Sequence, residues 1–437
     1  MTIQTHSRAS ALNLADYKTL GLAALGGALE IYDFIIFAFF ATTLSQLFFP
    51  PDMPEWLRLL QTFAIFSTGY LARPLGGILM AHFADKLGRK RIFSLTIFLM
   101  AGPCLIIGLM PTYADIGYAA PLLLLALRVI QGAAVGGEVP SAWSFVAEHA
   151  PRRHRGYALG MLQAGLTFGY LLGALTATAL AKWFSPQEML DGAWRIPFLL
   201  GGPFGLLTVW LRRWLNETPV FIALSQRNDQ QNRYPLFTVL RRHRHTLLPA
   251  ALLTCALTTA VVTLVVVTPA LLQQHFGMSA DHAFELSSVG IVFLNIGCVI
   301  AGRACDRIGP MRSLTLYSLL LPLGVGALYA DLILGLGWTA VAYAVAGLCC
   351  GIVGVVPSIM VAMFPADVRV SGISFTYNIS YSIWASATPL LLIAATPWSP
   401  WVSAAFCVVI AGFGLAAGSH LRGPRALTLD EELCAKT

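Results

Sequence analysis

Residues Pro121–Glu138 read PLLLLALRVIQGAAVGGE. Leu122 to Leu127 are apolar without a break, whereas the strands of a membrane barrel would alternate apolar and polar at every second position. The stretch is therefore helical. Its apolar surroundings reach from about 118 to 147, beyond the roughly 20 residues that cross a bilayer as a helix. Arg128 lies inside it. A charge in a bilayer core costs at least about 2.5–3.5 kcal/mol on insertion scales, so such residues are functional candidates by default.

Eleven further stretches have the same character, at about 20–45, 57–82, 92–110, 156–181, 194–215, 246–272, 284–302, 313–334, 338–364, 371–393 and 401–421. The whole chain of 437 residues is 57% hydrophobic and 11% charged, with a mean hydropathy of +0.71. Soluble domains run at about 45–50% apolar and about 25% charged. A soluble enzyme, a secreted disulfide scaffold and a disordered chain are thereby excluded. What remains is an all-α membrane protein with twelve transmembrane helices. None of the eight cysteines forms a CxxC pair; they read as small buried apolar residues, and no cofactor or metal is expected. The first apolar stretch carries Glu30 and Asp33 and is no signal-peptide core.

The net charge of +7 is a matter of topology. With the N-terminus cytoplasmic, 23 of the 28 Lys/Arg fall on the cytoplasmic side and three, Arg58, Lys182 and Arg195, on the other. Arg73 and Arg128 lie within spans. This positive-inside asymmetry predicts cytoplasmic termini in an inner membrane and removes the case for a nucleic-acid partner. The polar stretch 216–245 divides the spans into two sets of six: residues 1–215, and residues 246–421 followed by a short cytoplasmic tail, 422–437. A similar loop follows the second span of each set, Ala84-Asp85-Lys-Leu-Gly88-Arg89-Lys-Arg91 and Gly302-Arg303-Ala-Cys-Asp306-Arg307-Ile-Gly309-Pro310. Such a repeat is what two pseudo-symmetric six-helix halves leave in a sequence.

Five ionisable residues lie deep in the first half: Glu30, Asp33, Arg73, Arg128 and Glu138. Three carboxyls face two guanidiniums, so one carboxyl is expected to be neutral or to exchange its proton. Glu30 and Asp33 are three residues apart and are expected to share one helix face, where two close carboxyls cannot both ionise easily. At about 1.5 Å of rise per residue, Glu30 and Arg128 come to a similar depth. Glu30, Asp33 and Arg128 then form either a switchable, proton-coupling ion pair or a static buried one. Arg73 offers a fixed charge for a substrate carboxylate, or a gating contact. Gln163, Tyr377 and Asn378, together with Glu138, complete the candidates for substrate binding; interhelical hydrogen bonding is the competing role for such groups.

The first-half loop resembles the G-x-x-x-D-R-x-G-R-K signature of the major facilitator superfamily, with Ala81 for its first Gly and Lys86 for its first Arg. Arg128-Val-Ile-Gln131-Gly132…Gly136-Gly137-Glu138 is similar to the R-x-x-Q-G…G-G-E of its metabolite:proton symporter family. Glu148-His-Ala-Pro151…Arg155-Gly156, Trp194-Arg-Ile-Pro197-Phe198, Glu217-Thr-Pro219-Val-Phe221 and Phe364-Pro365…Arg369…Tyr377-Asn378 extend the likeness over about residues 20–395. The seventh to ninth spans match poorly, and Pro310 stands where a basic residue is usual.

The resemblance implies a secondary transporter, and it pairs an acid of the first span with Arg128. It also implies that Asp85, Gly88, Arg89, Glu148, Arg155, Glu217, Asp306, Arg307 and Arg369 form a cytoplasmic latch whose release lets the halves rock. The expected function is proton-coupled uptake of a small polar metabolite by a monomer embedded in the lipid bilayer. Two intramembrane arginines put an organic acid first. The alternatives are a zwitterion such as proline or betaine, or a proton antiporter exporting a more apolar compound. The sequence has no HExxH, GxSxG, P-loop or metal cluster, and no enzymatic activity is expected.

Overall fold

A computed structural model describes residues 14–87, 89–136, 138–212, 235–365 and 368–421. In a bilayer every backbone N–H and C=O must be satisfied internally, and the apolar runs meet that demand as helices. The first half holds α1 (Leu14–Phe39), α2 (Glu55–Leu87), α3 (Arg89–Leu109), α4 (Ala119–Ala134, continuing as Glu138–His149), α5 (Arg155–Trp183) and α6 (Ile196–Arg212). The second holds α7 (Arg244–Gln274), α8 (Ala280–Ile308), α9 (Pro310–Leu334), α10 (Thr339–Met363), α11 (Arg369–Ala395) and α12 (Val402–His420). Among the described residues nine of these are long and apolar enough on their own to cross a membrane; α2, α3 and α6 complete the twelve. The first span starts and stops earlier than its apolar run predicts. It breaks at Phe40, and a separate helix, Ala41–Phe48, follows.

The two halves meet along α5 and α8, along α2 and α11, and where α4 approaches α11. The α5–α8 seam is built on glycine. A Cβ on Gly160 would lie 2.6 Å from the carbonyl oxygen of Cys298, and one on Gly156 2.6 Å from that of Gly302. Only hydrogen in place of a side chain lets two helix backbones come this near.

Among the described residues three helices are interrupted, and in two of them a side chain from another helix serves the freed backbone group. In α4 the break falls at Val135 and Gly136, and Asn378 of α11 donates its Nδ2 to the Gly136 carbonyl. In α7 residues Val262–Val267 are wound as a π-helix, and the Thr268 N–H bonds the Thr263 carbonyl five residues back. The next donor in that register would be residue 269, a proline with no N–H. The Leu264 carbonyl it would have bonded instead accepts the Tyr343 hydroxyl of α10 at 2.7 Å. The third break divides α10 at Cys350 and Gly351.

Candidate functional site

Between the halves lies a cavity, partly open to its surroundings, with about 870 Å³ of space free of protein atoms. The first half lines it with Glu30 and Phe34 of α1, Tyr70 and Arg73 of α2, and Gln163, Thr167 and Tyr170 of α5; the second half adds Leu257 and Val261 of α7 and Tyr377 and Tyr381 of α11. Every charge on the described wall therefore comes from the first half. The α5 contribution follows helix geometry: Gln163, Leu166, Thr167 and Tyr170 recur at i, i+3, i+4 and i+7, one face of the helix.

Arg73 is 6% exposed, and its guanidinium carbon lies 4.8 Å from the Tyr381 ring centroid and 5.8 Å from that of Tyr70. Two rings, one from each half, thus back a single fixed cation, a favourable placement for a guanidinium over a π face. Its Nε has no hydrogen-bond partner. Pro74, which follows, has no N–H to give the Tyr70 carbonyl. Gln163 accepts the Trp143 indole N–H on Oε1 at 3.0 Å, so the amide end left for a ligand is the NH2 donor. Trp143 in turn meets the Tyr377 ring edge-on, 5.1 Å between centroids. Glu30, 7% exposed, is the carboxylate on the wall.

The expected common face for Glu30 and Asp33 is not what the structure has. Three residues along a helix turn about 300°, and the remaining 60° suffices to take Asp33 off the cavity. Its carboxylate faces α6 and α3. A Cβ on Gly201 would lie 2.6 Å from Asp33 Oδ1 and 2.7 Å from Cys104 Sγ. Asp33 is 3% exposed, and its Oδ1 has no hydrogen-bond partner.

Arg128 is fully buried, and among the described residues no hydrogen bond joins it to Asp33. Its guanidinium carbon lies 4.1, 4.6 and 4.9 Å from the ring centroids of Phe34, Phe37 and Phe66. Nη1 donates to the Phe34 carbonyl at 3.3 Å and to Gln131 Oε1 at 3.0 Å, while Nε and Nη2 have no partner. Asn378 also leaves the substrate-facing set, because it is turned to Gly136. The Glu138 side chain lies outside the described ones. Tyr70, Tyr170 and Phe34 were not among the sequence candidates. Apolar and aromatic residues fill every face of a spanning helix, so the sequence signal for them is their helical spacing from charged or amide neighbours.

At the end that the charge asymmetry assigns to the cytoplasm, Asp306 accepts the backbone N–H groups of Gly156 and Tyr157 at 2.7 and 2.8 Å. The carboxylate of one half thus caps the first turn of α5 in the other. Glu148 and Arg369 pair across the halves at 3.0 Å, with side chains 14% and 6% exposed. Arg303 stacks over Tyr157 at 5.7 Å. Arg155 is half-buried and Arg307 exposed, whereas Asp85, Gly88, Arg89 and Glu217 lie outside the described side chains. At the opposite end Lys182 pairs with Glu285, and Phe284 packs on Phe39 and Phe40. Farther in, Ser67 and Ser386 exchange hydroxyl-to-carbonyl bonds at 3.2 and 3.0 Å.

Comparison with known proteins places this geometry. Residues 24–389 match the family model of the Major Facilitator Superfamily. The proline/betaine transporter of Salmonella typhimurium is 32% identical over 424 residues, covering 93% of this chain and 83% of the relative. The glycine betaine/proline/ectoine/pipecolic acid transporter OusA of Dickeya dadantii is 32% identical over 428 residues with the same coverage. Among solved structures, the proton:xylose symporter XylE superposes with a TM-score of 0.74 at 16% identity, over 94% of this chain and 96% of that one; at that identity the likeness is one of fold. Twelve helices in two halves about a central cavity, and a family match over most of the length, lead to one conclusion: the chain is a multi-pass membrane transporter and belongs to the major facilitator superfamily.

Proposed function

We propose that the protein is a proton-coupled symporter that takes up a small zwitterion, a molecule with one carboxylate and one cationic nitrogen. It would act as a monomer in the inner membrane with both termini cytoplasmic. The carrying observation is the charge on the cavity wall: one guanidinium, Arg73, and one carboxylate, Glu30, among the rings of Tyr70, Tyr170, Tyr377 and Tyr381. Such a wall is balanced for a ligand with no net charge. Arg73 suits the carboxylate bidentately. Tyrosine faces and Glu30 suit the cationic nitrogen, and ring faces accept even a nitrogen without N–H groups. Two intramembrane arginines favour an organic acid in the sequence; with Arg128 outside the cavity lining, a dicarboxylate lacks its second cation. The relatives' names, which include proline, betaine and ectoine, support the same choice.

Asp33 and Arg128 suit proton coupling. Each is buried, each has unpartnered polar atoms, and the two are complementary. An isolated buried carboxylate is costly; a proton on Asp33 removes that cost, and its loss favours movement toward Arg128. Glu30 is then the acid that meets substrate, and the Asp306 and Glu148–Arg369 contacts are the latch that alternating access must release. Reconstituted protein under an imposed pH gradient, offered proline, glycine betaine, succinate, citrate and shikimate, tests the reading. Accumulation of a zwitterion, abolished in Asp33→Asn while counterflow persists, is expected. Uptake of the acids alone would overturn the substrate class. Full accumulation by Asp33→Asn would move the proton site to Glu30 or Glu138, and export against the gradient would favour the antiporter.

A further inference from the structure

The wall between the cavity and Arg128 is one ring thick. Phe34 lines the cavity, and the Arg128 guanidinium carbon lies 4.1 Å from the centroid of the same ring. The ring is braced by Phe66 and Tyr70, at centroid distances of 5.5 and 4.7 Å. Its tip rests on Gly69, where a Cβ would come within 3.1 Å of Cε2 and Cζ. Phe34 also holds Arg128 through its own backbone carbonyl, at 3.3 Å from Nη1. The guanidinium behind it is wholly buried and keeps two nitrogens, Nε and Nη2, without a partner. Buried donors are nearly always satisfied, so Arg128 stands ready to take an anion.

We propose that Phe34 is a specificity-determining partition: it withholds Arg128 from the cavity, so that the site presents one guanidinium and takes monocarboxylate zwitterions rather than dicarboxylates. The inference rests on the zwitterion reading above for what the intact cavity binds. The physical requirement is a side chain large enough to fill the gap and apolar enough to offer a ligand no hydrogen bond. Its face must also tolerate a guanidinium, which an aromatic ring does. Removing the ring would add a second cation to the wall beside Arg73. Two guanidiniums with free N–H donors are what a dicarboxylate needs. They would also let a substrate carboxylate compete with Asp33 for Arg128, which would loosen proton coupling.

The test uses full-length purified protein with succinate and glycine betaine as probes. Binding is read by calorimetry, and protons moved per substrate are read in proteoliposomes. Phe34→Ala should gain succinate affinity tenfold or more and move fewer protons per betaine than the parent. Phe34→Leu, which keeps most of the bulk but not the ring face, should gain less succinate affinity than Phe34→Ala. The double variant Phe34→Ala/Arg128→Gln should lose the gain, because the new affinity is Arg128's. If Phe34→Ala folds poorly, Phe34→Val opens a smaller gap and should show the same shift at lower amplitude. Unchanged succinate affinity in a folded Ala or Val variant overturns the partition, as does a gain that survives loss of Arg128. A parent that binds no zwitterion fails the earlier reading alone, since the succinate arm does not depend on it.

Discussion

Arg73 and Arg128 carry the same charge within the same half, and their neighbours set them to different work. Both were visible in the sequence as charges inside apolar runs. Which of them faces the cavity was not, because helical spacing fixes only the angle between residues on one helix. The outcome rests on tertiary partners: Tyr381 comes from the other half to back Arg73, and Phe34, Phe37 and Phe66 close around Arg128. The same limit explains Glu30 and Asp33, where 60° of residual twist divides a pair that spacing alone would join. A prediction belongs here. A hydrogen bond to a charged group is worth about 1.5–3 kcal/mol, or roughly 10- to 150-fold in affinity. Arg73→Gln should therefore raise the KM for a zwitterion by about that factor while leaving folded yield intact. Arg73→Lys keeps the charge but loses the planar fork and should fall between the two. Uptake kinetics with a parental KM in both variants would make Arg73 a gating residue rather than a ligand.

The helices themselves were legible, because a run of some 20 apolar residues in lipid has few options other than a helix. Their interruptions were not. Pro269 is plain in the sequence, yet a proline alone does not predict six residues of π-helix before it. The π register stands because Tyr343 on α10 reaches the Leu264 carbonyl, and no local pattern announces that partner. In α4 the glycines 136 and 137 mark a weak point, but only the approach of Asn378 makes a break there affordable in lipid. Removing one partner of a buried hydrogen bond costs about 1–3 kcal/mol. Tyr343→Phe should thus lower the melting temperature of the detergent-solubilised protein measurably. Tyr329→Phe should cost less, since the Thr268 hydroxyl that meets Tyr329 at 3.2 Å keeps its 2.7 Å bond to the Thr263 carbonyl. Equal losses in the two variants would show that the Leu264 contact does not hold the π segment.

At the scale of the whole molecule, contacts join the halves at both ends of the cavity, and a transporter that alternates must break one set at a time. The sequence disclosed the proposed cytoplasmic set through the loop repeated at Asp85 and Asp306, and the structure gives the second copy a definite task, capping α5. The opposite set gave no such signal, because Lys182 and Glu285 are single charges at helix ends far apart in the chain. The two sets differ in kind. Lys182 and Glu285 are 50% and 42% exposed, and exposed pairs contribute about 0–1 kcal/mol. Glu148 and Arg369 are nearly buried, and removing one partner of a buried pair costs about 3–5 kcal/mol through the charge left behind. Neutralising one member should therefore open the cytoplasmic end far more readily than the same change opens the other. Spin labels at the exposed positions Arg153 and Arg312, one on each half, report the opening as a distance. Arg369→Gln and Glu148→Gln should each lengthen it and slow uptake, with Lys182→Gln near the parent. The double variant Glu148→Gln/Arg369→Gln removes the stranded charge but not the lost closure, so folded yield should recover while the longer distance persists. If Arg369→Gln keeps the parental distance and rate, or Lys182→Gln perturbs the protein more, the buried pair holds helices together without holding the cytoplasmic end shut.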